Sequence, residues 1–248
     1  MRRERSLLIP VALAIFGPAQ ILMGLAMAGA ATVRNTADAA TGGQMLLLLP
    51  AAALVLFGNI VTAVIVLTPG ISVGEALARA GKSIARAITT VLLLGALFLL
   101  AVVAIAIVAT LGTISIGADP RSPALASRVV VLMAVPMIVM LVRMLLLAPV
   151  LAMEDNGPAT AVRRVWALSR HNVLRFAAVW VLTMFLGILV TVIEQFVVGS
   201  VFGLLKLAVG EAELLAVVQM IIGAGIEAVL SLGIAVYLAL IYRRLTAV

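Results

Sequence analysis

The chain has no cysteine and one histidine, His171, among its 248 residues. The first absence excludes disulfides and thiolate metal sites. The second excludes zinc sites built on paired histidines, and any Ser-His-Asp triad would have to use His171. Charge is also scarce. Asp, Glu, Lys and Arg make up 11% of the residues, under half of the roughly 25% usual in a soluble domain. Lysine occurs only at Lys82 and Lys206, and no polar stretch is long enough for a soluble catalytic domain. Aromatics stand at 4%. Only Trp166 lies among basic residues, so the stacking platform of a nucleic-acid binder is missing.

What is present is apolar: 65% hydrophobic residues and a mean hydropathy of +1.31. Lipid must cover most of such a surface. Long apolar runs bounded by charge, without strand-like alternation, predict an all-α integral membrane protein. Six spans are expected at about 7–33, 44–67, 88–114, 126–151, 173–203 and 213–242, in one polytopic domain over 1–248. Each exceeds the roughly 20 residues that cross about 30 Å of hydrocarbon, so several tilt or project. The opening apolar stretch is too long for a signal peptide and is interrupted by Pro10 and Pro18, so it is expected to stay as a first span. Gly17, Gln20, Gly24 and Ala28 give that span a small-residue face.

The net charge of +7 is unevenly placed. Basic residues gather at Arg2, Arg3 and Arg5, at Arg79, Lys82 and Arg86, at Arg163, Arg164, Arg170 and Arg175, and at Arg243 and Arg244. The alternate gaps, 34–43, 117–124 and 206–213, are poor in them. The positive-inside rule then puts both termini and both basic segments in the cytoplasm, and the excess of arginine over lysine points to a GC-rich bacterial genome, hence an inner membrane.

The segment "EDNGPATAVRRVWALSRHNVLRF", 154–176, concentrates this charge. On a helix, Ala161, Val162, Val165, Trp166 and Leu168 share one side, and Arg163, Arg164, Arg170 and His171 the other. Asn156 or Gly157 suits the N-cap and Pro158 the first turn, with Glu154 and Asp155 at the positive end of the dipole. The expectation is an amphipathic helix in the headgroup plane, with an elbow into the next span. "TPGISVGEALARAGKSIARAITTVLLLG", 68–95, has the same grammar. Ser72 and Glu75 form a capping-box pattern there. Glu75, Arg79, Lys82 and Arg86 share one face, opposite Val73, Ala76, Leu77, Ala80 and Ile84. Aligning the two segments pairs Ala76 with Ala161, Leu77 with Val162 and Arg79 with Arg164. Span–elbow–span thus repeats over about 44–114 and 126–203, with the first and last spans flanking.

"APVLAMEDNGPATAVRRVWALSRHNVLRF" resembles the signature of the glycerophosphoryl diester phosphodiesterase membrane-domain family and related bacterial six-span proteins. There an acidic-Gly-Pro turn leads into a basic, Trp-containing helix. The likeness covers most of the chain in layout and the quoted segment in motif. It implies a membrane module; the catalytic domain that members can carry has no counterpart here.

Inside the spans, Arg143, Glu194 and Glu227 each cost roughly 2.5–3.5 kcal/mol at a helix centre, so they should face protein or water. Gln219, Gly223, Glu227 and Ser231 follow every fourth residue in the last span. Gly187, Thr191, Gln195, Gly199 and Gly203 do the same in the fifth, and Asn59 and Thr62 edge the second. These stripes should converge on the interior. Arg143 has two courses: a bridge to Glu227, or a turn back to the near interface. His171 reads as a solvated or lipid-facing residue, and Glu154 with Asp155 as turn residues. No nucleophile–base pair or metal set is visible. The expected function is that of a non-enzymatic accessory or scaffold module, without cofactor. Its partners would be anionic membrane lipids, through Arg79, Lys82, Arg86, Arg163, Arg164, Arg170 and Trp166, and a membrane protein. The alternative is a small transporter with a polar path along Arg143, Glu194 and Glu227.

Overall fold

A computed structural model describes residues 2–33, 46–115, 134, 136–155, 157–170, 172–209 and 212–247. The expectations for the gaps at 34–43 and 117–124, for Asn156 as a cap and for His171 fall outside these residues, as does the start of the fourth span. The described residues are helical, with no strand among them. The helices are α1 (Arg2–Val33), α2 (Leu48–Leu67), α3 (Val73–Ser115), α4 (Leu147–Met153), α5 (Pro158–Ser169), α6 (Val173–Val209) and α7 (Ala212–Thr246). Residues 136–144 are also helical and reach α4 through a turn at 145–146. Six segments are long and apolar enough to cross a membrane: one each in α1, α2, α3, α6 and α7, and Pro136–Met153. The chain is a multi-pass membrane protein.

α1, α2 and α7 pack on one another, and α2 also meets α3 and α4. The first and last spans are therefore in direct contact. α3 is held by α2, α4 and α5, whereas α6 rests chiefly on α7. Close approach of α1 and α2 depends on Gly58. A Cβ there would lie 2.8 Å from Cε1 and Cζ of the buried Phe16. Gln20 Nε2 donates to Ser231 Oγ across α1 and α7 at 3.3 Å, and Gly24 touches Met220. Gly17 has nothing within 4 Å of a Cβ position; among the described side chains the tightly buried small residues of α1 are Ala12, Ala19 and Ala26, and the side chain of Ala28 lies outside them. Pro10 and Pro18 stay within one helix, tolerated because neighbouring elements can satisfy the freed carbonyls.

The larger core joins the end of α2 to α4, α5, the start of α3 and α6, and the end of α7. Ile60, Val64, Leu146, Val150, Leu151 and Val165 fill it. α2 enters α3 through Thr68-Pro69-Gly70. Ile71 N–H donates to the Thr68 carbonyl at 3.4 Å, and Gly70 has φ 85, the left-handed position of a type II turn.

The two amphipathic segments differ in form. α5 is a separate helix that ends at Ser169, and α6 starts at Val173. Asn172 N–H bonds the Ser169 carbonyl at 3.1 Å, and the Asn172 carbonyl accepts the Phe176 N–H at 3.0 Å. Asn favours such a turn and helix start. The first segment has no elbow. α3 runs unbroken for 43 residues, about 65 Å at 1.5 Å per residue, because no Asn or Pro interrupts it between Gly74 and Ser115. Its basic start and its apolar part belong to one continuous helix. The two segments of the expected span–elbow–span pattern thus differ: among the described residues a separate amphipathic helix is present only in the second.

Candidate functional site

α3 begins with the capping box that its sequence predicts. Ser72 backbone N–H and Oγ–H donate to Glu75 Oε2 at 3.0 and 2.8 Å, and Glu75 N–H donates to Ser72 Oγ at 3.2 Å. Ala76, Ala80, Ser83 and Ala87 then turn inward. This registers Arg79, Lys82 and Arg86 on the outer face. Leu77, assigned by periodicity to the apolar face, is exposed. The basic face meets the acidic turn after α4. Glu75, Arg79, Lys82, Ser83, Arg86 and Asp155, with Ala78 and Ala152, line a cavity of about 450 Å³ there. Arg86 Nη2 donates to Asp155 Oδ1 at 2.7 Å. Arg79 and Lys82 remain exposed, with no ion pair among the described residues.

Glu154 and Asp155 are ties between elements, where the sequence reading had them complementing a helix dipole. Gly157 is the N-cap of α5 and makes no side-chain cap bond, and Pro158 sits in the first turn. Glu154 Oε1 accepts from Arg164 Nε at 3.3 Å and from the Tyr242 hydroxyl at 3.0 Å. One carboxylate therefore joins α5 to the end of α7 while its neighbour joins the turn to α3. The spacing of adjacent acids explains this: in an extended segment they point to opposite sides. Tyr242 was not singled out from sequence. Its signal was a tyrosine two residues before the basic pair Arg243 and Arg244, at the rim of an apolar span.

Arg143 takes the near course. Its guanidinium carbon lies 4.0 Å from the centroid of the Trp166 ring, a cation–π stack. Nε and Nη1 are buried without a hydrogen-bond partner. Among the described residues no ion pair joins it to Glu227. The same ring borders an apolar groove of about 270 Å³ between α3 and the fourth span, lined by Leu97, Phe98, Met140 and Met144 among others. Trp166 thereby clamps α5 to the fourth span. Arg163 and Arg170 are exposed on α5, as a solvated face requires.

The polar residues of the last spans form two seams on α7 and no single centre. One is the Gln20–Ser231 bond to α1. The other faces α6. The Glu194 carboxylate packs against Gly223, where any Cβ would collide with it, and Gln219 Nε2 lies 4.0 Å from a Cβ position at Gly199. Glu227, partly buried, sits one turn beyond Gly223. Gln195 and Thr191 point outward, and Thr191 Oγ1 bonds the Gly187 carbonyl at 2.9 Å. Asn59 is partly buried on α2 and joins neither seam. Among the described residues no three His, Cys, Asp or Glu side chains gather as metal ligands. No protein-family model, curated protein or solved structure matches the chain.

Proposed function

We propose that this is a non-enzymatic protein of a bacterial inner membrane, with its basic end in the cytoplasm, that holds anionic lipid headgroups as an accessory or scaffold module. The observation that carries the reading is the cavity between α3 and the acidic turn. Arg79 and Lys82 line it and are exposed, while Asp155 engages Arg86. Each basic residue near an anionic leaflet contributes about 1 kcal/mol of attraction. The acidic-Gly-Pro turn and Trp-bearing helix, with their resemblance to the glycerophosphoryl diester phosphodiesterase membrane domain, support a module beside lipid chemistry.

The test is the lipid that copurifies after gentle detergent extraction. The wild-type protein is expected to carry more phosphatidylglycerol and cardiolipin than the bulk membrane. Arg79→Gln/Lys82→Gln should lower that enrichment while the protein stays folded. Equal lipid composition in both would leave these residues as topology anchors only. A second reading, a small transporter, draws on the Glu194 carboxylate packed against Gly223 near Glu227. It expects Glu227→Gln to fold and lose function. Full function in both Glu227→Gln and Glu227→Leu rules that reading out.

A further inference from the structure

We propose that a second site, the groove between the start of α6 and the end of α7, binds one anionic phospholipid, with Arg175 and Arg244 on its phosphate. α6 and α7 are antiparallel neighbours, so the first turns of one and the last turns of the other meet at the same end of the bundle. The groove there, about 200 Å³, has an apolar floor of Phe176, Val179, Ile241 and Leu245 and a polar rim of Asn172, Arg175, Tyr237 and Arg244. A second concavity of about 240 Å³ continues it past Tyr237 to Arg243. The rim therefore carries guanidinium groups from two helices, and the floor leads toward the hydrocarbon-facing sides of the same helices.

The charge arrangement selects the occupant. Three cations line the α3 cavity together with the carboxylates of Glu75 and Asp155. Two cations line the α6–α7 groove, and no carboxylate is among its lining residues. Among the described residues Arg175 bonds only a neutral partner, with Nη1 donating to Asn172 Oδ1 at 3.3 Å, and both arginines are exposed. Their remaining N–H donors suit a phosphodiester, which a guanidinium grips through paired hydrogen bonds. The start of α6 adds the positive end of a helix dipole on the same side. Tyr237 fits as an interfacial aromatic, ring toward apolar surface and hydroxyl toward the headgroup. A free phosphate would use the arginines and leave the floor wet. An acyl chain uses both, so the occupant is a lipid.

The inference rests on the reading that the basic end meets an anionic leaflet, but its residues are separate from those of the α3 cavity. Native mass spectrometry in a neutral detergent, with titrated phosphatidylglycerol, reads the site directly. At about fivefold per basic residue near an anionic headgroup, Arg175→Gln/Arg244→Gln should weaken the affected lipid by about 30-fold. Arg79→Gln/Lys82→Gln should leave that lipid bound. Arg175→Lys/Arg244→Lys, which keeps both charges, should stay within a few fold of wild type. Phosphatidylcholine should bind more weakly, and excess inorganic phosphate should not displace the lipid. Undiminished binding in the glutamine pair overturns the proposal. So does equal loss in the lysine pair, equal affinity for phosphatidylcholine, or displacement by phosphate alone, which would mark a soluble-anion site.

Discussion

At the basic end of the bundle, Leu146, Val150 and Leu151 of the fourth span are buried against Ile60 and Val64 of α2. In the apolar runs of α3 and α6, equally large residues face outward; Leu100 is 66% exposed and Phe196 73%. Both regions are built from Leu, Val, Ile and Phe, so hydrophobicity does not separate them. Between helices in lipid there is no hydrophobic drive to associate, since acyl chains are as apolar as leucine. The buried end also carries polar connections between elements. The basic end is crossed by Arg86–Asp155, by Arg164–Glu154–Tyr242 and by the Arg143–Trp166 stack. Where α6 passes α7 farther along, the Glu194 carboxylate packs against Gly223 and Gln219 approaches Gly199. Packing gathers where polar groups need partners, and that is also where the headgroup site is proposed.

The sharpest break of this comparison comes from truncating one leucine in each region. Leu151→Ala, at a site only 1% exposed, should cost about 3 kcal/mol through lost contacts and a cavity. Leu100→Ala should change stability by no more than about 0.5 kcal/mol. Thermal unfolding of both variants in one detergent checks the difference. A glycine pair gives the next contrast. Gly58→Ala forces a Cβ onto Phe16 and should cost about 2 kcal/mol. Gly95→Ala, with nothing within 4 Å of its Cβ position, should be neutral or stabilise by about 0.5 kcal/mol. Tyr242→Phe removes the hydroxyl donated to Glu154 and should cost about 1.5 kcal/mol. Repeating the melt in a Glu154→Gln background should shrink that increment, because a neutral amide oxygen accepts the same hydroxyl more weakly than a carboxylate. The smallest effect belongs to Asp155→Asn. Its pair with Arg86 is open to solvent on the aspartate side, so a loss of about 0.5 kcal/mol is expected, shrinking with added salt.

The spans and the basic faces could be read from sequence because length, hydropathy and charge are local properties. The capping box at Ser72 and Glu75 and the role of Pro158 were legible for the same reason. The partners of the charged residues were not. Whether Arg143 reaches Glu227 or Trp166 depends on the depth of its span and on the approach of α5, neither of which a linear pattern contains. Glu154 and Asp155 looked like dipole partners because the nearest helix start is adjacent in sequence. Their bonds run instead to Tyr242 and Arg86, residues 88 and 69 positions away. The elbow was misread in α3 because amphipathic and apolar stretches can join without a break when no turn residue separates them. At Asn172 one does.

The central claim is that the basic end binds anionic headgroups through Arg79 and Lys82. The direct measurement is the melting temperature of the purified protein in neutral detergent, titrated with phosphatidylglycerol or phosphatidylcholine, for wild type and Arg79→Gln/Lys82→Gln. A ligand that binds only the folded state stabilises by about 2.7 kcal/mol at a hundredfold excess over its Kd. The account predicts a rise with phosphatidylglycerol in the wild type, a smaller rise in the variant, and little response of either to phosphatidylcholine. An equal rise in both proteins, or one that phosphatidylcholine reproduces, would contradict it.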